Sequence, residues 1–188
     1  MGKPPVMEAH AMLWRRLDGP GHDACILEIG ETGARLRGSA VFLHDGAPAQ
    51  LHYEVHCDRE WRCQRGAVSG WIGSAAMNYS FVRDGGWRMN GLLVPGLEHC
   101  VDLDFGITPA TNVFPLRRLA LKPGEGADAP AAWFDVGGFE LVALPQRYER
   151  RSESIWWYES PTAGYAAELE VAASGFTQHY PDLWIAER

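Results

Sequence analysis

The amino-acid sequence predicts an all-β fold. Three observations carry that expectation. Short runs of alternating apolar and polar residues recur along the chain, as in Gln50 to Cys57, where Leu51, Tyr53 and Val55 oppose His52, Glu54 and His56. Successive strand side chains face opposite sides, so alternation marks a sheet with one buried face. Turn residues separate the runs: Gly19-Pro20-Gly21, Asp45-Gly46, Asp84-Gly85-Gly86 and Gly137-Gly138. Asp-Gly between alternating runs is a strong hairpin signal. Helical windows are also broken nearly everywhere, because the 188 residues include 21 Gly and 12 Pro.

Met12 to Asp18 is the first strand expected, and it ends at Gly19-Pro20-Gly21. Ala24 to Ile29 follows. Ala34 to His44 carries Leu36 and Val41 on opposite parities, so Gly38 between them marks a bulge or bend. Asp45-Gly46 then turns the chain into Gln50 to Cys57. Trp61 to Ile72 is another extended run, and Met77 to Val82 pairs with Trp87 to Val94 around Asp84-Gly85-Gly86. The stretch Cys100 to Leu121, CVDLDFGITPATNVFPLRRLAL, is expected to be a hairpin. In its first arm Val101, Leu103 and Phe105 point one way, and Asp102 and Asp104 the other. Gly106 to Asn112 forms the turn, and Val113 to Leu121 the second arm, bearing Arg117 and Arg118. Lys122 to Ala129 reads as a polar loop. Ala132 to Val136 and Phe139 to Leu144 flank Gly137-Gly138. Gln146 to Arg150, Ile155 to Glu159, Tyr165 to Ala172 and Phe176 to Tyr180 complete the series. Tyr165 to Ala173 is short enough to be a helix, but its alternation favours a strand. A dozen or so short strands with regular turn signals point to a barrel or sandwich.

Composition bounds the function. An apolar fraction of 46% and a charged fraction of 22% describe an ordinary globular protein. The length suits one domain, residues 1-188, with a real core. A net charge of −7 gives no electrostatic footprint for nucleic acid or an anionic membrane. No apolar run approaches the roughly 18 residues of a membrane span. The opening MGKPPVMEAHAMLWRRL lacks a secretory pattern, and Val6 stands where a myristoylation signal wants Ser or Thr. A cytoplasmic protein is therefore expected, with Cys25, Cys57, Cys63 and Cys100 reduced.

The chemistry-bearing residues are few. His52 and His56 share a strand face but lie about 13 Å apart by the strand rise, too far for one zinc ion. No metal site is expected. Cys100 beside His99 lacks any nucleophile signature and reads as a buried thiol. Asp102 and Asp104 share a face at about 7 Å, the separation that inverting glycosidases use. They are equally suited to ion pairs with Arg117 or Arg118, or to a wet sheet face. No dinucleotide fingerprint, phosphate loop or nucleophile elbow appears. The aromatics are abundant, and in a closed sheet some must face inward.

Several ordered blocks carry a resemblance. These are Gly-Glu-Thr-Gly around Glu31, the YEVHCDREW block from Tyr53 to Trp61, and the Asp84-Gly85-Gly86-Trp87 turn. CVDLDFGITPATNVFPLRRLAL, Gln146-Arg147-Tyr148, Trp157-Tyr158-Glu159 and the terminal Gly175 to Pro181 continue the series. Together they resemble the bacterial family named Putative glycolipid-binding, small proteins otherwise of unknown function. The resemblance implies a large, many-stranded antiparallel barrel-like sheet with an internal cavity, similar in shape to carriers of lipid-modified proteins. The expectation is then a binder of a lipid or glycolipid-like amphiphile that performs no chemistry and uses no cofactor. Asp102, Asp104, Arg117 and Arg118 would form its polar anchor or an ion-pair network. Trp61, Tyr148, Trp157 and Tyr158 are candidates for apolar lining or stacking. The alternative is a hydrolase of a glycosidic or ester bond that uses Asp102 and Asp104.

Overall fold

Alternation in the sequence becomes seventeen strands within residues 6–187, the part of the chain that this computed structural model describes. The first eight run as successive antiparallel neighbours: β1 (Val6–Arg16), β2 (Gly21–Gly30), β3 (Gly33–His44), β4 (Ala47–Cys57), β5 (Cys63–Ile72), β6 (Ala75–Arg83), β7 (Trp87–Met89) and β8 (Leu92–Leu93). After β9 (Asp102–Phe105) the chain enters a 3-10 turn, Ala110–Asn112, and a short helix α1 (Val113–Leu119). There follow β10 (Gly126–Asp128), β11 (Ala131–Asp135), β12 (Glu140–Leu144), β13 (Arg147–Arg150), β14 (Ile155–Ser160), β15 (Tyr165–Val171), β16 (Thr177–Tyr180) and β17 (Trp184–Ala186).

Fourteen strands form one antiparallel sheet in the order β10-β13-β14-β15-β16-β17-β1-β2-β3-β4-β5-β6-β7-β8. The all-β expectation is met. The sheet is large and many-stranded, but it is open, with β8 and β10 as its edges rather than a closed seam. Pairing of β17 with β1 joins the two ends of the chain: Arg16 lies opposite Trp184 and Trp14 opposite Ala186. Neither β17 nor β10 has a strong alternating signal, because a three-residue strand is too short to show one.

The barrel interior that the resemblance implies is filled by the chain itself. A second sheet, β12-β11-β9, lies against the inner face of the first. Its Phe105 and Phe134 meet Phe81 of β6 with ring centroids 5.5 and 5.0 Å apart, Tyr79 lies 4.8 Å from Phe134, and Tyr53 of β4 lies 6.3 Å from Phe105. Phe81, Phe105 and Phe134 are fully buried, and each such side chain contributes about 1.5–3 kcal/mol by leaving water. One glycine makes the approach close: at Gly66 an added Cβ would meet Leu103 of β9, whereas at Gly38 it would meet the ring and hydroxyl of Tyr53, its partner on the neighbouring strand β4. Gly38 therefore marks no bulge: β3 keeps an unbroken register with β2 and β4 across it.

The hairpin expected for Cys100 to Leu121 does not form. β9 pairs in parallel with β11, Asp102 opposite Ala131 and Phe105 opposite Phe134. Its expected second arm is the helical segment. Thr108 Oγ1 accepts a hydrogen bond from the Ala110 backbone N–H at 3.0 Å, which satisfies one of the donors a helix start leaves open. Pro115 falls in the first turn of α1, where the missing N–H costs nothing. Ala110, Val113 and Phe114 are buried at i, i+3 and i+4, the spacing of one helix face. Ala120, left-handed at φ 46°, ends the helix.

Candidate functional site

Asp102 and Asp104 leave β9 on the side expected from alternation, but neither faces open solvent. Burial pushes the Asp102 carboxyl above its ordinary value, and the Arg118 guanidinium pulls against that shift. The two groups form a bidentate pair, Nε to Oδ1 at 3.1 Å and Nη2 to Oδ2 at 2.5 Å. The helix supplies this cation: its last turn carries Arg118 back over β9. Both Asp102 oxygens are thereby engaged.

Asp104 meets no cation at hydrogen-bond distance. Thr111 Oγ1 donates to its Oδ1 at 2.6 Å, and Gln146 Nε2 donates to its Oδ2 at 2.8 Å. Burial raises its carboxyl, and these two neutral donors oppose the rise. Tyr148 backs the arrangement by donating to Gln146 Oε1 at 3.3 Å. Tyr148 packs on Tyr158 at 5.0 Å, Tyr158 on Tyr180 at 5.6 Å, and Tyr180 on Tyr165 at 5.2 Å.

Asp104 opens onto a pocket of about 290 Å³ between the Thr108 to Asn112 segment and the inner face of β14 to β17. Asn112, Trp133, Tyr158, Ser160 and Tyr165 also line it. Asn112 is only 5% exposed, and its Nδ2 is buried without a protein partner. Ser160 Oγ, also buried, lies beside Tyr158 outside sound hydrogen-bond geometry. A buried donor without a partner costs about 1–3 kcal/mol, so an incoming acceptor gains there. Thr108, at the pocket wall, is tied to the sheet. It and Tyr53 donate to Asp23 Oδ2, the Tyr53 bond at 2.8 Å. Burial lifts the Asp23 carboxyl to about 7 against these two hydrogen bonds.

Of the residues singled out from sequence, Asp104 and Tyr158 line the pocket and Tyr148 stands behind it. Asp102 and Arg118 are spent on each other. Arg117 donates twice to the Ser174 carbonyl, at 3.1 and 2.6 Å, and covers the Trp61 ring 5.0 Å from its centroid. Trp61 in turn packs 6.5 Å from Phe114. Trp157 lies on the opposite face of β14 from Tyr158, under the Arg151 guanidinium at 4.5 Å. The pocket's other polar residues, Thr108, Asn112, Ser160, Tyr165 and Tyr180, were not singled out, nor were Thr111 and Gln146, which hold Asp104 from behind. Parity with Tyr158 pointed to Ser160, and the T-P-A-T-N block contained Thr111 and Asn112. Nothing in the sequence linked Tyr180 to Tyr165, because the two rings meet across the neighbouring strands β15 and β16 without a local pattern to announce it.

A larger groove, about 640 Å³, crosses the outer face of β2 to β5. Several of its polar groups are engaged within the sheet, Arg37 with Glu28 among them. Ser39 Oγ and His52 Nδ1 are 2.6 Å apart, and Glu54 bonds both Arg35 and His56. Among the described residues no three His, Cys, Asp or Glu side chains converge as a metal site, and no helix is long and apolar enough to cross a membrane. All four cysteines are buried free thiols.

Fold and pocket together define the class: an antiparallel β protein whose main sheet wraps a smaller one and leaves a small aromatic and polar pocket between them. The chain belongs to the family described as Putative glycolipid-binding, which it matches over residues 11–186. It also resembles a solved structure, a DUF1089 family protein from Pseudomonas aeruginosa, with a TM-score of 0.70 and 24% identity. That likeness covers 98% of this chain and 96% of the other, and it shows the fold. A comparison with curated proteins finds no match.

Proposed function

We propose that the protein binds the head group of a glycolipid-like amphiphile in the Asp104–Tyr158 pocket and leaves it chemically unchanged. The family's description supports a glycolipid as the ligand class. The observation that carries the reading is the buried, unpartnered Asn112 amide, which lines the same pocket as the Asp104 carboxyl and aromatic side chains such as Trp133, Tyr158 and Tyr165. Donor, acceptor and ring edges around one small volume suit a polyol: a sugar ring offers hydroxyls to the first two and C–H faces to the third. At about 290 Å³ the pocket lies at the lower end of the roughly 300–1,000 Å³ of small-molecule sites. It has room for one sugar ring and not for acyl chains, which stay outside. Hydrolysis through the two aspartates is disfavoured, because Asp102 does not line the pocket and both its oxygens are held by Arg118. The test is thermal melting with octyl glycosides, in the parent and in Ala163→Trp. Ala163 is exposed at the pocket wall, so its replacement blocks the pocket without touching the core. The parent melt should rise, as binding to the native state requires, and the variant melt should not. An unmoved parent melt, or an equal rise in both proteins, removes this reading.

A further inference from the structure

We infer that the pocket discriminates by charge: it accepts a neutral sugar head group and rejects an anionic one, such as a uronic acid, sulfate or phosphate. The inference rests on the binding reading above and names its ligand class.

Among the described residues that line the pocket none is Lys, Arg or His, and the one formal charge there is the Asp104 carboxyl. Of the two arginines on α1, Arg118 is turned to Asp102, which shares β9 with Asp104. Arg117 is directed to the Ser174 carbonyl. The side-chain donors that reach Asp104 are a hydroxyl and an amide, and neither adds positive charge. An anion entering this volume would lose its hydration and find no counter-charge. Desolvating an unpaired ion costs several kcal/mol. A carboxylate beside Asp104 adds like-charge repulsion that the protein interior screens less than water does. If Asp104 carries a proton the repulsion falls away, but the missing counter-charge remains. A neutral hexose meets neither term, and its hydroxyls can serve both the Asn112 donor and the free lone pairs of Asp104.

A cationic head group would be the other way to satisfy a lone carboxylate. The rings argue against it. Ammonium recognition needs open aromatic faces about the cation. Tyr158, Tyr165 and Tyr180 lie against one another at 5.2, 5.6 and 6.1 Å, so they pack as a cluster and do not stand around a shared opening as a cage for an ammonium group would.

The test compares two nearly isosteric amphiphiles, octyl β-glucoside and octyl β-glucuronide, which differ by a hydroxymethyl group and a carboxylate. Titration calorimetry below their micelle concentrations gives both affinities. The parent should bind the glucoside at least about tenfold more tightly, the equivalent of about 1.4 kcal/mol. Asp104→Asn should narrow that gap. Ala163→Lys, at an exposed wall position and so without risk to folding, should raise glucuronide affinity by about tenfold through a new counter-charge. Equal or tighter binding of the glucuronide by the parent overturns the charge inference and leaves the binding reading standing. Binding of neither ligand, or glucoside binding that Ala163→Trp does not weaken, overturns the binding reading and this inference with it.

Discussion

Asp102 and Asp104 stand two residues apart on β9, on the same side of the strand and deep in the same protein, yet they are neutralised in different ways. A guanidinium from α1 takes both oxygens of Asp102. Asp104 receives neutral donors alone, a threonine hydroxyl, a glutamine amide and the Phe105 backbone N–H, and keeps one side open to a pocket. The first arrangement saturates the carboxylate and fixes a helix on a sheet. The second leaves acceptor capacity facing a cavity. A carboxylate held by neutral donors that shares a pocket with an unfilled donor is a recognition feature, whereas one held by a guanidinium is a structural fastener. Residue type and spacing are identical in the two cases, so the partner decides the role.

The largest expected effect tests the fastener. Arg118→Ala leaves the Asp102 carboxylate buried and unpaired, and loss of one partner of a buried pair costs about 3–5 kcal/mol. Urea melts should show that loss, and a double replacement, Asp102→Leu with Arg118→Met, should recover much of it. A single variant as stable as the parent would mean that the pair is solvated, and the contrast with Asp104 would collapse.

Asp23 offers a third carboxyl, buried like Asp102 but without a cation, and lifted to about 7. The unfolded chain releases this proton near the ordinary aspartate value of 3.8, so between those two values the native state binds the extra proton. Stability from this group is full below about 3.8 and is lost as pH rises toward about 7, at up to about 1.4 kcal/mol per pH unit. Asp23→Asn should remove that decline, so the variant should gain on the parent between about pH 4 and pH 7. Paired denaturant melts at several pH values measure the difference directly. A constant difference across the window would show that Asp23 does not titrate there.

Much of the fold was legible because the sheet is built from long alternating runs with Asp-Gly and Gly-Pro turns, which are local signals. Three failures have one cause each. The Val113 to Leu121 segment was read as a strand because Arg117-Arg118 between apolar residues resembles alternation, while the Thr108-Pro109 start and the i, i+3, i+4 spacing of Ala110, Val113 and Phe114 carried the helical signal. The expected interior is reduced to a small pocket because a parallel pairing between β9 and β11 closes across residues 106–130, and no local pattern announces it. Strands β10 and β17 were missed because three residues hold too little pattern. Within the site, Asp104, Tyr148 and Tyr158 were visible as chemistry-bearing residues, but their separation from Trp61, Arg117 and Trp157 depends on which face of which strand each occupies.

Arg117 sharpens the comparison between neighbouring arginines. Its two bonds go to one carbonyl oxygen, and its plane covers Trp61. Hydrogen bonds from a charged group and a partly exposed cation–π contact together suggest a loss of about 1–2 kcal/mol for Arg117→Ala. That is below the loss for Arg118→Ala, because no buried charge is stranded. Equal losses in urea melts would assign Arg117 a partner of the same weight.

Asp104→Asn should have the smallest effect on stability of all. The amide keeps the shape of the side chain and one acceptor oxygen, the Thr111 hydroxyl can reverse to accept from the new NH2, and no cation is stranded because none was paired. A change within about 1 kcal/mol is expected at neutral pH. Its sign follows from burial. The folded carboxyl lies above its ordinary value, so its contribution favours the native state at low pH and is lost as pH rises through the folded value. The asparagine variant should therefore match the parent in acid and equal or slightly exceed it in mildly alkaline solution. Asp102→Asn, two residues away, should instead be less stable than the parent, because Arg118 would then be the group left without a counter-charge, while its difference from the parent should shift with pH in the same direction, since the Asp102 carboxyl also lies above its ordinary value. The two variants can be melted side by side in one buffer series. If Asp104→Asn destabilises the protein as much as Arg118→Ala does, Asp104 is a fastener as well, and the pocket loses the one charged group that gives it a preference.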